Sequence, residues 1–171
     1  MSVEDRPSSP SMRPLLYLDI DGTLLRRRAD ISGLHNAYEI APDALGFLTW
    51  AVEHFECRWL STRCRAGDAG GAVRAFRHAL GVVRLPEEWG RVLGMIPAAA
   101  WSGSKVEGIE VKHPAGWWWI DDAPDAVDVA ILSQQGVAER LIRINGSDKR
   151  PLERIQARLS QGHSLKSCVP P

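Results

Sequence analysis

Apolar and polar positions alternate along this chain between short apolar runs and longer stretches of helical spacing. Leu15-Leu16-Tyr17-Leu18 is an unbroken apolar run after Pro14, short for a helix and suited to a strand buried on both faces, as in a parallel sheet. Pro42 then precedes Leu45, Leu48, Val52 and Phe55, a mostly helical spacing that predicts a helix feeding a strand at Cys57-Arg58-Trp59-Leu60. A helix carrying Val73, Phe76 and Leu80 leads to an expected strand at Val82-Val83-Arg84-Leu85. The residues after it are ambiguous until Ser102-Gly103-Ser104, a cap ahead of a helix that opens at Lys105 with Val106, Ile109 and Val111. Trp117-Trp118-Trp119-Ile120 is a second short apolar run. A helix is expected from about Pro124 to Gln135, then a strand at Arg140-Leu141-Ile142-Arg143-Ile144, a turn at Asn145-Gly146 and a closing helix through Leu159. Strands alternating with helices predict an α/β fold with a doubly wound, mainly parallel sheet and helices on both faces. Ligands of such sheets bind beyond the carboxyl ends of the strands.

Both of the strongest apolar runs end in carboxylates. The first delivers Asp19 and Asp21 onto Gly22 and Thr23; the second ends in Asp121-Asp122. Desolvating a carboxylate at the mouth of a buried strand costs several kcal/mol unless a cation or donors compensate. Adjacent acids add mutual repulsion, which a hard divalent cation with oxygen ligands relieves. Gly22 permits a sharp turn, and Thr23 offers a hydroxyl and an amide to a phosphate oxygen. The chemistry these residues favour is Mg²⁺ with a phosphoryl group. A plain Asp-Gly turn, and acids that only cap the next helix, are the bland readings of the same residues.

The Asp-x-Asp-Gly-Thr pattern at Asp19 to Thr23 resembles the opening signature of the haloacid dehalogenase-like (HAD) phosphohydrolase superfamily, and further elements follow in the family's order. The resemblance implies a Rossmann-like core. It implies that Asp19 attacks phosphorus to give a phosphoaspartate and that Asp21 serves as general acid and base. Ser61, with Thr62 as the competing choice, would hold a phosphate oxygen. Lys105, or else Lys112, would neutralise charge on the nucleophile and the phosphoryl group. Asp121 would bind Mg²⁺ directly or through water, and Asp122 would support the metal shell or Lys105. The metal set implied is thus Asp19, Asp21, Asp121 and Asp122; the residues themselves add Thr23 and Arg63 to Thr62 as expected substrate contacts.

Length and composition fit one domain: 171 residues, 44% hydrophobic and 25% charged, are ordinary for a soluble α/β core. The expected organisation is a disordered leader over residues 1–13, one catalytic domain over 14–159, and a flexible tail over 160–171. The leader is rich in Ser and Pro and lacks the apolar core of a secretion signal. A cytoplasmic location is the corresponding expectation, with no run long enough to span a bilayer. Net charge is zero, so no global field favours nucleic acid or an anionic membrane. Cys57, Cys64 and Cys168 form neither a disulfide framework nor a Cys-x-x-Cys metal site, and the five histidines lack zinc-ligand spacing.

Larger members of the resembled family insert a cap domain. Here Thr23 to Pro42 holds one short polar segment, and Thr62 to Lys105 is largely consumed by core elements. No cap or a minimal one is expected, so the substrate is a macromolecular or otherwise accessible phosphorylated group, or a homo-oligomeric neighbour supplies a lid. Arg26-Arg27-Arg28, Arg63 and Arg65 would rim the mouth and bind further phosphates, or else be solvated loop residues. Trp101 and Trp117 to Trp119 suit core packing better than base stacking, which leaves a nucleic-acid or nucleotide substrate as the lesser reading. The alternative from another class is a catalytically silent binding or scaffold module.

Overall fold

In the computed structural model, which describes residues 12–28, 38–145 and 148–164, the apolar run after Pro14 is the strand β1 (Leu15–Leu18). It lies inside a four-stranded sheet and is fully buried. β4 (Glu56–Trp59) and β5 (Trp117–Asp121) flank it, β6 (Leu141–Arg143) lies outside β5, and every pairing is parallel in the order β4-β1-β5-β6. The chain leaves β1 for one side and returns to the other. The sheet therefore changes winding direction beside β1, where a crevice opens beyond the strand ends.

Strand alternation distributes the core. Leu16, Leu18 and Ile120 pack with Phe47, Phe76, Trp89 and Leu152 on one face, under the helices α1 (Ala44–His54), α2 (Gly70–Leu80), α3 (Glu87–Gly94) and α5 (Pro151–Ser164). Leu15, Tyr17, Trp117 and Trp119 pack with Val106, Ile109 and Leu132 on the other, where α4 (Ala126–Gln134) is the covering helix. The unbroken apolar runs are explained: each strand has a buried partner on both sides. The tryptophans serve this packing. Trp117 and Trp119 are buried, while Trp118, on the opposite face, lies under the guanidinium groups of Arg140 and Arg158 at 5.2 and 5.7 Å. Among the described residues no helix is long and apolar enough to cross a membrane.

Several expectations are corrected. Val82–Leu85 is no strand: Gly81 ends α2 in the left-handed conformation, and Val83 is 89% exposed. The seat beside β4 goes instead to Ala98, through Trp59 N–H to Pro97 O and Ala99 N–H to Trp59 O. The ambiguous residues contain α3, whose first turn carries Glu87 and Glu88. Lys105 opens a single 3-10 turn, Lys105–Gly108, rather than a helix through Val111. Gly108 packs so tightly that a Cβ there would lie 2.9 Å from Leu60 Cδ1, and Ile109 beyond it is extended. The segment between Thr23 and Pro42, read as a polar link, contributes an antiparallel pair, β2 (Leu25–Arg27) with β3 (Tyr38–Ile40). The closing helix α5 runs past Leu159 to Ser164. Arg13, assigned to the leader, donates from Nη1 to Val52 O at 2.7 Å. The rest of the expected leader before Met12, Gly146 of the expected turn, Cys168 and the tail beyond Ser164 lie outside the described residues.

Candidate active site

The two acid-tipped strands are neighbours in register. Tyr17 faces Trp119 and Leu18 faces Ile120, so the next pair along is Asp19 and Asp121, both at the carboxyl end of the sheet. Asp19 N–H donates to Ile120 O at 3.0 Å and fixes that alignment. Lys105 enters between them: its Nζ donates to Asp19 Oδ1 at 2.9 Å and to Asp121 Oδ2 at 2.6 Å. All three side chains are almost sealed, at 12%, 7% and 1% exposure for Lys105, Asp19 and Asp121. The lysine is therefore the counter-ion of a buried acidic pair, not a solvated surface residue. Lys112, the competing choice, is exposed in a turn.

Lys105 is held from both chain neighbours. Ser104 caps the 3-10 turn, and Glu107 reaches back as the other half of a capping box, accepting from the N–H groups of Ser102, Gly103 and Ser104 and the Ser102 hydroxyl. Those donors hold the Glu107 carboxyl down at about 2. On the inner side, the buried Asp128 of α4 accepts from the Ser104 hydroxyl and, at 3.3 Å, from the Val106 N–H. A carboxylate from a distant helix thus ties down the residues before and after Lys105.

The electrostatics follow from burial. Asp19 is pushed up to about 7 by burial and by the Asp121 charge, against the pull of Lys105. Burial alone would lower Lys105, but the Asp19 and Asp121 charges outweigh it and leave its ammonium raised. Asp122 is raised by burial and by Asp121. One lysine does not neutralise three carboxylates. Oxygens of Asp19, Asp121 and Asp122 lie within 4.8 Å of one another, and an all-oxygen donor set with surplus negative charge is what a hard divalent cation takes. The residues fit Mg²⁺. Gly22 makes room for this arrangement: at φ 77° it passes so close to Asp122 that a Cβ would sit 1.9 Å from Oδ2.

Asp21 stands apart from the cluster of Asp19, Asp121 and Asp122. Arg63 Nε donates to its Oδ1 and Oδ2 at 2.9 and 2.7 Å, and Arg63 Nη2 to Oδ1 at 2.7 Å. In this arrangement the Asp21 carboxylate, expected among the metal ligands, is held at both oxygens by the Arg63 guanidinium, and Arg63, expected on the substrate, is bonded to Asp21. The Arg63 guanidinium also lies 5.4 Å over the Tyr38 ring of β3. A cavity of about 690 Å³ opens here, walled by Asp19, Asp21, Lys105, Asp121 and Asp122 on the sheet side and by Arg26, Arg27, Tyr38 and Glu39 from the β2–β3 pair.

The hydroxyl residues divide. Thr62 lines the cavity. Ser61 is wholly buried behind it, its Oγ without a partner among the described residues, because the 3-10 turn Thr62–Cys64 starts immediately after it. Thr23 is also sealed, and its Oγ1 likewise has no partner there; the close return of Leu24 and Leu25 N–H to Ile20 O folds it inward. Of the hydroxyl side chains expected on the substrate, Thr62 faces the cavity while Ser61 and Thr23 are sealed. Among the arginines, Arg26 donates to Asp148 O at 2.7 Å while lining the cavity, and Arg65 lies against Trp101 at 4.5 Å.

Asp128, Tyr38 and Glu39 were not singled out from sequence. Asp128 reads as an acid in the first turn of a helix, and only the fold brings it to Lys105. Ser104 and Glu107 do show a capping-box spacing that marks the Lys105 turn. Tyr38 and Glu39 needed recognition of the hairpin.

Neither a family model nor a curated protein matches the chain. Among solved structures, it is similar to the HAD domain of effector protein Lem4 from Legionella pneumophila, with a TM-score of 0.49 and 15% identity, covering 87% of this chain and 95% of that one.

Proposed function

We propose that this protein is a Mg²⁺-dependent phosphomonoester hydrolase of the haloacid dehalogenase-like type. The observation that carries the reading is Lys105 bridging Asp19 and Asp121 at the carboxyl ends of adjacent parallel strands, with Asp122 alongside. Asp19, Asp121 and Asp122 would hold Mg²⁺, which when bound offsets the negative charge of carboxylates and phosphate.

Asp19 presents the oxygen not engaged by Lys105 to phosphorus. That oxygen forms the new P–O bond as the ester P–O bond breaks, and the departing oxygen takes the proton carried by Asp21. In the second half, Asp21 removes a proton from water, the hydroxide attacks phosphorus, the Asp19–P bond breaks, and inorganic phosphate and the free carboxylate are restored. Lys105 stabilises the carboxylate form of Asp19 and the charge on the transferring group. Thr62, which lines the cavity, would donate to a phosphate oxygen. Among the described residues the wall beyond the strand ends is the β2–β3 pair, three residues to a strand, which supports an accessible substrate.

The Arg63 clamp on Asp21 favours a second reading, a silent binding module, because a carboxylate gripped at both oxygens is a poor proton donor until Arg63 releases it. A panel of aryl phosphate, nucleotides, phosphopeptides and end-phosphorylated oligonucleotides, assayed with Mg²⁺ and with EDTA, separates the two. Hydrolysis that needs Mg²⁺ and disappears in Asp19→Asn supports the enzyme. Undiminished turnover in Asp19→Asn overturns the mechanism, and binding of a panel member without turnover transfers the case to the silent module.

A further inference from the structure

The groove between α2 and the β2–β3 pair has a chemistry opposite to that of the acidic site beside it. Gly71, Arg74, Ala75 and His78 recur at helical spacing along one face of α2 and, with Leu25, Tyr38 and Arg63, line a cavity of about 340 Å³. Its floor is apolar through Leu25 and Ala75. Among the described residues its polar groups are the Arg63 and Arg74 guanidiniums, the His78 imidazole and the Tyr38 phenol, with no carboxylate beside them. Among the described residues Arg74 has a long ion pair, Nη2 to Asp68 Oδ2 at 3.8 Å, with both side chains about 70% exposed, which leaves its guanidinium accessible to an incoming anion.

Two contacts join this groove to the acidic cavity. Tyr38 belongs to both walls. Arg63 stands between them, bonded to Asp21 on one side and lining the groove on the other. Its backbone is fixed by the approach of α2, where a Cβ on Gly71 would lie 1.8 Å from Arg63 O. An anion in the groove therefore meets a guanidinium whose position is set and which already touches the proposed acid and base.

We propose that the groove is a second phosphate site, so that the substrate carries another phosphate next to the one presented to Asp19. This deepens the proposed function and rests on it for the identity of the first phosphate. Arg63, Arg74 and His78 take the second group by charge-assisted hydrogen bonds. A bisphosphorylated small molecule and a phosphodiester strand with a terminal phosphate share this chemistry.

Calorimetric titration of the full chain with Mg²⁺, using Asp19→Asn to prevent turnover, tests it. The probes are adenosine 5′-monophosphate, adenosine 3′,5′-bisphosphate and a 5′-phosphorylated dinucleotide. The bisphosphate or the dinucleotide should bind about tenfold to a hundredfold tighter than the monophosphate, and Arg74→Ala/His78→Ala on the same background should shrink that ratio to within about threefold. Preference for the bisphosphate identifies a small molecule, and preference for the dinucleotide identifies a strand. Equal binding of all three probes, no binding of any, or a ratio that survives the double substitution overturns the second site. Aryl phosphate turnover by the wild type is scored separately: turnover without a second-phosphate preference removes only this inference, whereas the preference without turnover removes only the hydrolase.

Discussion

Replacing Lys105 with methionine keeps most of the side-chain volume and removes the charge that balances Asp19 and Asp121. Removing one partner of a buried ion pair costs about 3–5 kcal/mol, because the other charge is left uncompensated, and here two carboxylates at 7% and 1% exposure are left facing each other. For a chain of this size each kcal/mol moves the melting temperature by roughly 2–4 °C, so Lys105→Met should melt about 6–20 °C below the wild type at pH 8 in EDTA. The pH dependence gives the sharper test. Asp19 is pushed up to about 7 from 3.8, so folding favours its neutral form. That stability is complete below about pH 4 and is lost as pH rises through 7, of order 4 kcal/mol at about 1.4 kcal/mol per tenfold change in proton affinity. Without the ammonium the neutral form is favoured further, so the gap between variant and wild type should be smaller at pH 4, where the lost contact to Asp121 remains, and widen toward pH 8. Mg²⁺ should narrow it again at pH 8. Thermal melts across that range refute the reasoning if the variant stays within about 1 kcal/mol of the wild type at pH 8, or if the gap does not change with pH.

Asp128→Ala should cost about 1–3 kcal/mol, since it takes the acceptor from the Ser104 hydroxyl and leaves Val106 N–H with the Ser104 oxygen alone, and should lower kcat through a mislaid Lys105. Asp128→Asn, which keeps an acceptor, should restore most of both in denaturant melts and steady-state assays. Ser61→Ala should leave the ligand-free protein equally or more stable by denaturant titration, because the hydroxyl it removes is buried and has no partner among the described residues. Thr62→Val should instead raise the inhibition constant of inorganic phosphate about tenfold; the reverse pattern would return the phosphate contact to Ser61. Gly22→Ala places a methyl 1.9 Å from Asp122 Oδ2 at a positive φ, so Mg²⁺ affinity measured by calorimetry should fall at least about tenfold. Unchanged affinity would mean that Asp122 does not need its present position.

The parts of this architecture legible in the sequence are those written in local pattern. The apolar runs at Leu15 and Trp117 are strands because both faces of the sheet are covered, and the acids ending them meet because the strands pair in register. Lys105 was legible from the cap before it, although the helix expected there is one 3-10 turn. Val82–Leu85 failed for a tertiary reason: an apolar, β-branched segment forms a strand only where an edge is open, and Ala98 occupies that edge. The hairpin was hidden because Leu25–Arg27 and Tyr38–Ile40 are three residues each and their pairing spans a long interval. Asp21 illustrates a different limit. Its spacing from Asp19 suggests a shared metal, but its partner is Arg63, and nothing in the spacing of two acids reveals which cation reaches them first.

The most direct test of the central claim, a cation-dependent attack of Asp19 on phosphorus, is ¹⁹F NMR of the protein with beryllium fluoride, a mimic of a phosphoryl group on a carboxylate. The account predicts a bound-fluoride signal in the wild type that requires Mg²⁺ and is absent from Asp19→Asn. No adduct in the Mg²⁺-loaded wild type, or the same adduct in Asp19→Asn, would contradict it.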